Sequence, residues 1–466
     1  MRILFTIFLI LGFYGLTVAN PFEQDSISKK DSTVGDFFRR GNFYGHSRYF
    51  FMSTDNAFGL DDYFANAFGL GIGYETPKFK NFSVGISGYF IYNLGSSDLK
   101  KSDSLSGLPN RYEVGLFDVE NPNNHADLDR LEDLYLRYGN ERSFIRLGKQ
   151  HFNSPFINPQ DGRMRPTLVE GIYTEWNEWK NWKFHNSLIW DISPRSTVRW
   201  YSVGESMGIY PAGLNPDGTK SGYAGNIESK WLLITGVQRT IAQSLKVQIW
   251  NQLVDNVFNT ALFQADWNPK VLNKKSVYLV SGAQFIFQNS VNKGGNSNPS
   301  KTYFQHGAQT NVFSFRLGVE KKKKWSGSVN FTQISNDGRY LMPREWGRDP
   351  FYTFMPRERN EGFSGVKALN AKFSWITLQE KLRIEISAGR FILPDVKNAE
   401  ANKYAMPSYD QFNLEIQYHP GGLLRDFNFQ FLVVHKSRLG EVYDTMRFVH
   451  NKVNMTMYNL VLNFHF

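Results

Sequence analysis

The sequence predicts an all-β fold: a transmembrane antiparallel β-barrel of about 18 strands, of the type found in outer membranes. Three observations predict it. The C-terminal run 458–466 alternates apolar and polar side chains and ends in the aromatic Phe466. The connections between strand-like segments alternate between short and long. The chain is also rich in aromatic residues, with 40 Phe, 23 Tyr and 11 Trp, which suits a lipid-facing band with aromatic girdles.

The alternation in the C-terminal run separates two faces, because successive side chains of a strand point to opposite sides. One face carries Tyr458, Leu460, Leu462, Phe464 and Phe466, and the other carries Asn459, Val461, Asn463 and His465. A barrel strand requires this pattern, with lipid outside and water inside. A half-buried strand of a soluble protein shows it too, so the remainder of the chain has to decide.

The N-terminus has the features of a secretory signal peptide. Arg2 precedes the apolar run 3–16, and the small residues 17–19 form a plausible cleavage site. We therefore expect a signal peptide over 1–19, a flexible lead-in over 20–41 and a barrel domain over 42–466. An uncleaved anchor is the alternative. After residue 20 no run approaches the ~18 apolar residues of a membrane-spanning helix.

Composition excludes several other classes. The mean hydropathy is -0.42, so a membrane protein of this composition has to be a barrel. The chain has no cysteine, which rules out disulfides and thiolate chemistry. Its formal net charge is +10. In an exported chain this charge favours anionic solutes over nucleic acid as partners.

Segments with strand character fill the chain from residue 42 onward, and no long amphipathic helix interrupts them. The predicted strands are Asn42–Met52, Tyr63–Glu75, Phe82–Leu94, Arg130–Tyr138, Arg142–Gln150, Leu168–Glu178, Trp182–Ile192, Trp231–Arg239, Leu245–Val254, Phe258–Trp267, Ser276–Gln288, Gln309–Glu320, Trp325–Ile334, Lys367–Trp375, Leu382–Arg390, Tyr409–Tyr418, Leu424–Lys436 and Asn454–Phe466.

The lengths of the connections sort by parity. The short ones are 76–81, 139–141, 179–181, 240–244, 268–275, 321–324, 377–381 and 419–423, and those between them are mostly long: 95–129, 151–167, 193–230, 289–308, 335–366, 391–408 and 437–453. A β-sandwich or propeller has no reason to sort its loops this way. Short periplasmic turns and long extracellular loops are typical of outer-membrane barrels. We therefore expect the last strand to pair with the first.

Side chains predicted to face inward include many charges, which would set the selectivity of a pore. The basic candidates are Arg48, Arg137, Arg146, Lys246, Arg316, Lys372 and Arg383. The acidic candidates are Asp133, Asp266, Glu385 and Glu415. The alternative is that an individual charge serves only to keep the lumen hydrated.

Two loops are rich in arginine. Loop 151–166 holds Arg163 and Arg165 beside prolines, and loop 343–362 holds four arginines among acidic and aromatic residues, namely Arg344, Arg348, Arg357 and Arg359. Guanidinium groups bind carboxylates in a bidentate way. The alternative is a network of ion pairs that only maintains the shape of the loop.

Here the sequence resembles the OprD-type porins. The resemblance lies in Arg146-Leu-Gly-Lys-Gln150, in Asp161-Gly-Arg-Met-Arg-Pro166 with Glu170-Gly171, and in 344–362, as seen in a Bacteroidetes-like branch. It implies an eighteen-stranded, largely monomeric barrel with a constriction of inward-folded loops and a basic ladder for carboxylate-bearing solutes. It matches Arg163 and Arg165 to the third-loop position and the four later arginines to the second motif. It also implies that the barrel-assembly machinery recognises Phe466.

We accordingly expect an outer-membrane porin for amino acids, peptides or organic acids, without a cofactor or metal, in contact with membrane lipid and lipopolysaccharide. The loop lengths differ from the better-known branch, which leaves the substrate open. A structural or adhesin barrel is the first alternative. A barrel hydrolase is the second, although no nucleophile elbow or HExxH motif occurs and His46-Ser47, on opposite strand faces, cannot cooperate directly.

Overall fold

The computed structural model describes residues 34–159, 162–272 and 276–466. The predicted signal peptide lies outside the described residues, as do residues 20–33 of the predicted lead-in. The chain divides into two compact units, 1–41 and 42–466. In the described part of the first, a short helix, α1, spans Val34–Arg39, with Asp36 in its first turn and Arg39 in its last. These charges complement the helix dipole.

The second unit is built from long antiparallel strands, which we number in chain order. They are β1 Asn42–Asp55, β2 Tyr63–Glu75, β3 Phe82–Ser96, β4 Arg130–Gly139, β5 Phe144–Gln150, β6 Leu168–Trp176, β7 Trp182–Ser193, β8 Leu232–Ile241, β9 Leu245–Val254, β10 Phe258–Trp267, β11 Val277–Ser290, β12 Gln309–Lys321, β13 Trp325–Ile334, β14 Lys367–Thr377, β15 Leu382–Ile392, β16 Tyr409–Tyr418, β17 Phe427–Arg438 and β18 Met455–His465. All eighteen predicted segments are confirmed, with ends that shift by a few residues. Two short strands, Tyr201–Ser202 and Lys270–Leu272, pair beside β7 and β11.

The sheet closes on itself. Each long strand pairs with its neighbours in sequence, and β18 pairs with β1, where Tyr49 lies opposite Leu462. At the end of the chain the backbone N–H groups of Gly45 and Phe466 each donate to the other's carbonyl at 2.9 Å. The ring of Phe466 covers Gly45 so closely that a Cβ at that position would overlap it. Closure leaves no open edge in the barrel wall.

The wall has an apolar outer face and a polar inner face, in the predicted register. Tyr458 and Leu460 are 39% and 42% exposed, whereas Asn459 and Val461 between them are 3% and 4% exposed. Exposed phenylalanine, leucine and isoleucine side chains continue this outer band around the barrel. In the described ranges, no helix has both the length and the apolar character needed to cross a membrane.

Long connections join the strands at one end of the barrel and short ones at the other, with two exceptions. Residues 56–62 and 255–257 are short connections at the long-loop end. Two hydrophobic clusters continue from the wall into the loops. The larger contains buried loop residues such as Phe156, Tyr303 and Trp346, and the smaller contains Leu116 and Phe117. The long loops are therefore packed against each other and the wall.

Candidate functional site

Loop 335–366 follows the inner surface of the wall. Its backbone carbonyls accept hydrogen bonds from inward-facing side chains of several strands. The pairs are Gln284 to Pro350 at 2.9 Å, Asn370 to Thr353 at 2.5 Å, Gln411 to Pro356 at 2.8 Å and Lys436 to Arg357 at 2.7 Å. The donors lie on β11, β14, β16 and β17, in the same order as the acceptors along the loop. The segment 350–357 therefore runs around the lumen.

Loop 151–167 completes this ring. The side chain of Asn158 donates to the carbonyl of Arg348 at 3.2 Å and accepts from its N–H at 3.1 Å. Thr167 donates to the carbonyl of Glu345 at 2.7 Å. From β1, Arg48 donates to the carbonyl of Arg163 at 2.6 Å. Two loops far apart in sequence thus meet inside the barrel and narrow it.

A third loop, 97–129, reaches the same place, although sequence reasoning did not single it out. Its 3-10 turn Glu113–Leu116 is buried. The carboxylate of Glu113 accepts from Thr54 of β1 at 2.5 Å and from Asn110 at 2.6 Å. Burial raises the pKa of Glu113, although these hydrogen bonds and Arg163 oppose the rise. No spacing or motif in the loop marks this turn as functional.

The two arginines of loop 151–167 have different surroundings. Arg163 is partly exposed, and its guanidinium lies against Gly115, where a Cβ would overlap Nε. Arg357 reaches the same point, since it donates to the carbonyl of Gly162 at 3.1 Å and to Asn459 of β18 at 2.6 Å. Burial and the charge of Arg357 lower the pKa of Arg163 to about 10. Arg163 therefore remains cationic at neutral pH, within a concentration of positive charge.

Arg165 turns away from this cluster toward the wall. It is 3% exposed and donates to the carbonyl of Leu128 at 2.7 Å. Burial and the neighbouring Arg130 lower its pKa to about 9, against the opposing charge of Glu132. Arg130 and Glu132 form a buried ion pair at 2.9 Å. The geometry thus gives Arg165 a contact that fastens its loop to the end of loop 97–129, directly before β4.

The four arginines predicted in segment 343–362 of loop 335–366 also divide. Arg344 pairs with the buried Glu361 and stacks on Tyr404, and Arg359 donates to the carbonyl of Arg344 at 3.3 Å. Burial and Arg195 lower the pKa of Arg359 to about 10. Arg348 is exposed, with its guanidinium 5.1 Å from the ring of Phe354. Arg344 and Arg359 thus shape the loop, while Arg348 and Arg357 extend from it.

Two of the predicted inward cations support the loop from below. Lys372 donates to the carbonyls of Tyr352 and Phe354 at 3.2 and 2.5 Å. Arg316 lies 4.4 Å from the ring centre of Tyr352, whose hydroxyl donates to Asp266 at 2.6 Å. These contacts place Arg316, Lys372 and Asp266 directly under the ring of loops.

The other predicted inward residues lie along the wall of the barrel. Their polar or aromatic partners include Asn140 for Arg137, Tyr135 for Arg146, Glu385 for Arg383, Ser87 for Asp133 and Gln417 for Glu415. Lys246 is exposed and lies opposite Asp266 in the ladder. Acidic and basic side chains are therefore mixed along this part of the lumen.

Sequence reasoning missed three buried lysines, namely Lys403, Lys436 and Lys452. Lys436 ends the predicted strand of β17, is 2% exposed and holds the carbonyl of Arg357. Lys403, also 2% exposed, lies 4.6 Å from the ring centre of Tyr223 and 4.7 Å from that of Tyr303. Burial lowers the pKa of Lys403 to about 8. The position of Lys436 at a strand end is a usable signal, whereas only the tertiary structure brings the partners of Lys403 together.

Comparison with solved structures identifies the architecture. The chain superposes on Pseudomonas aeruginosa OccD3 (OpdP) with a TM-score of 0.69 and 10% identity, covering 92% of both chains. It superposes on Acinetobacter baumannii OccAB3 with a TM-score of 0.69 and 12% identity, covering 92% of this chain and 99% of that one. The chain has the fold of these channels. A third match is Pseudomonas aeruginosa OpdK solved with vanillate, with a TM-score of 0.68, 10% identity, and coverage of 92% and 99%.

No family model matches the sequence, and no curated protein matches it. The OprD-type barrel expected from the resemblance is thus confirmed at the level of the fold. Within residues 34–159, 162–272 and 276–466, no group of three or more His, Asp or Glu side chains is arranged to hold a metal ion.

Proposed function

We propose that this protein is an OprD-type outer-membrane porin that passes small, carboxylate-bearing solutes. Its long loops face outward from the cell and its short turns face the periplasm. The observation that carries the proposal is the ring of loop backbone inside the barrel, with Arg163, Arg348 and Arg357 placed on it. A barrel with a structural role has no need of cations at a narrowed lumen.

The charges at the constriction favour anions. Arg48 donates to the backbone carbonyl of Arg163, and Arg357 donates to that of the adjacent Gly162. The nearby Glu113 is buried and accepts hydrogen bonds from Thr54 and Asn110. Burial favours the neutral form of that acid. Arginine in such a site offers paired donors to a carboxylate. The similar channel solved with vanillate, itself a carboxylate, supports this solute class.

Loop ordering supports selective passage rather than a wide aqueous hole. Each loop that enters the lumen is hydrogen-bonded to the wall or to another loop, so the constriction is built before a solute arrives. Pre-organised donors bind an anion at lower cost than donors that must first be ordered. Specificity would come from the shape and spacing of these donors.

Single-channel recording in planar bilayers tests the proposal. Correctly folded protein should conduct, and its reversal potential in a salt gradient should indicate anion preference. A liposome-swelling panel of amino acids, aromatic acids and neutral sugars should show faster entry of the carboxylates. Folded protein that does not conduct would exclude a porin. Conduction without preference for carboxylates over sugars of the same size would exclude this solute class.

A further inference from the structure

The charge of the barrel is strongly polarised between its two ends. By sequence, the eight connections at the short-turn end hold twelve Lys and Arg against four Asp and Glu. The nine connections at the long-loop end hold twenty against twenty-three. The positive balance of the chain therefore lies at the end that we assign to the periplasm. Conduction through the lumen does not require a basic outer rim.

The basic residues encircle this end instead of forming one patch. Among the described residues, at least one cation occurs in seven of the eight short connections. They are Lys78, Lys80, Arg142, Lys180, Lys270, Lys322, Lys323, Lys324, Lys381 and Arg425. A ring of this kind matches a planar surface that surrounds the barrel better than a partner that docks on one side.

Aromatic side chains lie next to this ring on the outer face. Trp375 is 50% exposed at the end of β14, and Trp267 is 50% exposed at the end of β10. Aromatic girdles mark the level of lipid headgroups in outer-membrane barrels. The cations just beyond them are therefore at the height of lipid phosphates.

Within this ring of basic residues, the cations are most concentrated in the turn between β12 and β13. Trp325 pairs across the sheet with both Lys321 and Trp375, so these three side chains share the outward face. Lys322, Lys323 and Lys324 follow beyond them and are exposed. Glu380 pairs with Lys323 at 3.1 Å, and both side chains remain more than half exposed. Cations beside a lipid-facing aromatic pair fit a phosphate group above buried acyl chains.

We propose that the short-turn rim binds the headgroups of anionic phospholipids in the inner leaflet, with the turn 321–324 as its principal site. The proposal rests on the membrane orientation given under the proposed function. The ligand class is a glycerophospholipid whose phosphodiester has no compensating headgroup cation, such as phosphatidylglycerol or cardiolipin. Each surface lysine contributes attraction to an anionic leaflet, and the attraction is screened by salt.

Native mass spectrometry of the full chain from nanodiscs tests the proposal. The nanodiscs contain phosphatidylcholine with or without phosphatidylglycerol, and the readout is the apparent affinity of retained lipid. The variant Lys322→Gln, Lys323→Gln and Lys324→Gln removes three charges at the proposed site. The control Lys230→Gln, Lys293→Gln and Lys301→Gln removes three at the opposite end, where Lys293 also has an acidic partner, Glu228.

The parent should retain phosphatidylglycerol in preference to phosphatidylcholine, and raised salt should abolish the preference. The site variant should lose at least about tenfold in affinity for phosphatidylglycerol, and the control less than about twofold. Equal losses in both variants, or no loss in the site variant, would overturn the proposal. So would a parent that binds polyglutamate but shows no lipid preference, since that outcome points to an acidic protein partner.

Two further measurements keep the result interpretable. The salt titration uses the parent protein alone. It therefore tests whether lipid binding is electrostatic even if the site variant folds poorly. Conductance of the site variant should equal that of the parent, because the turn is remote from the loops that narrow the lumen. Unchanged conductance with unchanged lipid affinity would refute this inference and leave the porin proposal intact.

Discussion

Replacing Arg163 by alanine should reduce anion selectivity, whereas the same change at Arg165 should mainly loosen the loop. Both arginines belong to one Arg-Met-Arg segment, which makes them a matched pair. Arg163 is partly exposed beside the backbone of Gly115, and Arg165 is 3% exposed against Leu128. Charge removal should therefore alter the field of the pore only at Arg163.

The expected size of the change in anion selectivity follows from Coulomb's law. An anion passing about 5 Å from one guanidinium in a water-like medium gains roughly 0.8 kcal/mol, which is about fourfold in occupancy. In a tenfold salt gradient, such a change in permeability ratio shifts the reversal potential by an amount on the order of 20 mV. Loss of Arg165 removes a buried charged hydrogen bond, with a cost of about 1–3 kcal/mol in stability.

The assay is reversal potential in planar bilayers combined with unfolding by denaturant. Arg163→Ala should shift the reversal potential toward the value for a cation-preferring pore, with little loss of stability. Arg165→Ala should lower the stability and leave the reversal potential nearly unchanged. Arg163→Lys should retain most of the selectivity, because it keeps the charge. An unchanged potential in Arg163→Ala would remove this residue from the conduction path. Equal shifts in the two alanine variants would refute the division of roles.

Three other perturbations test separate parts of the structure. Deleting Phe466, which covers Gly45 at the closure, should lower the yield in the outer membrane more than it alters single-channel conductance; a normal yield measured by blotting would contradict this. Burial and a neighbouring acid raise the pKa of Glu358 to about 8 from 4.5. Unfolding free energy should thus fall as pH rises from 4.5 to 8, and anion selectivity should fall through pH 8; Glu358→Gln should flatten both. Lys403→Met should expose loop 393–408 to hydrogen exchange, whereas Lys397→Met, which removes an exposed cation, should not.

Sequence alone was sufficient for the architecture because every strand of a barrel meets the same two solvents. Lipid outside and water inside impose a period of two on each strand, and this period is local. The segment 458–466 shows it without any knowledge of its partners. The parity of the connections added the order of the strands. The observed register, with Tyr458 outside and Asn459 inside, follows from these two signals.

The sequence predicted less about the structure of the loops, because the contacts of the loops join residues that are distant along the chain. Arg163 and Arg165 are equivalent in sequence, two positions apart in one basic segment. Their difference arises from Gly115 and Leu128 in another loop. Glu113 carried no motif at all, and its partner Thr54 is contributed by β1. No local pattern encodes such pairings.

The sequence by itself determined the barrel, its orientation-defining loop parity, the inward charges and the polarity of charge between the two ends. The tertiary structure decided which loops enter the lumen, which arginines lie on them and which buried lysines hold them there. The physical reason is the range of the constraint. Alternation and composition reflect the solvent beside each residue, whereas the ring of 350–357 depends on hydrogen bonds with strands β11 to β18 that only closure brings together.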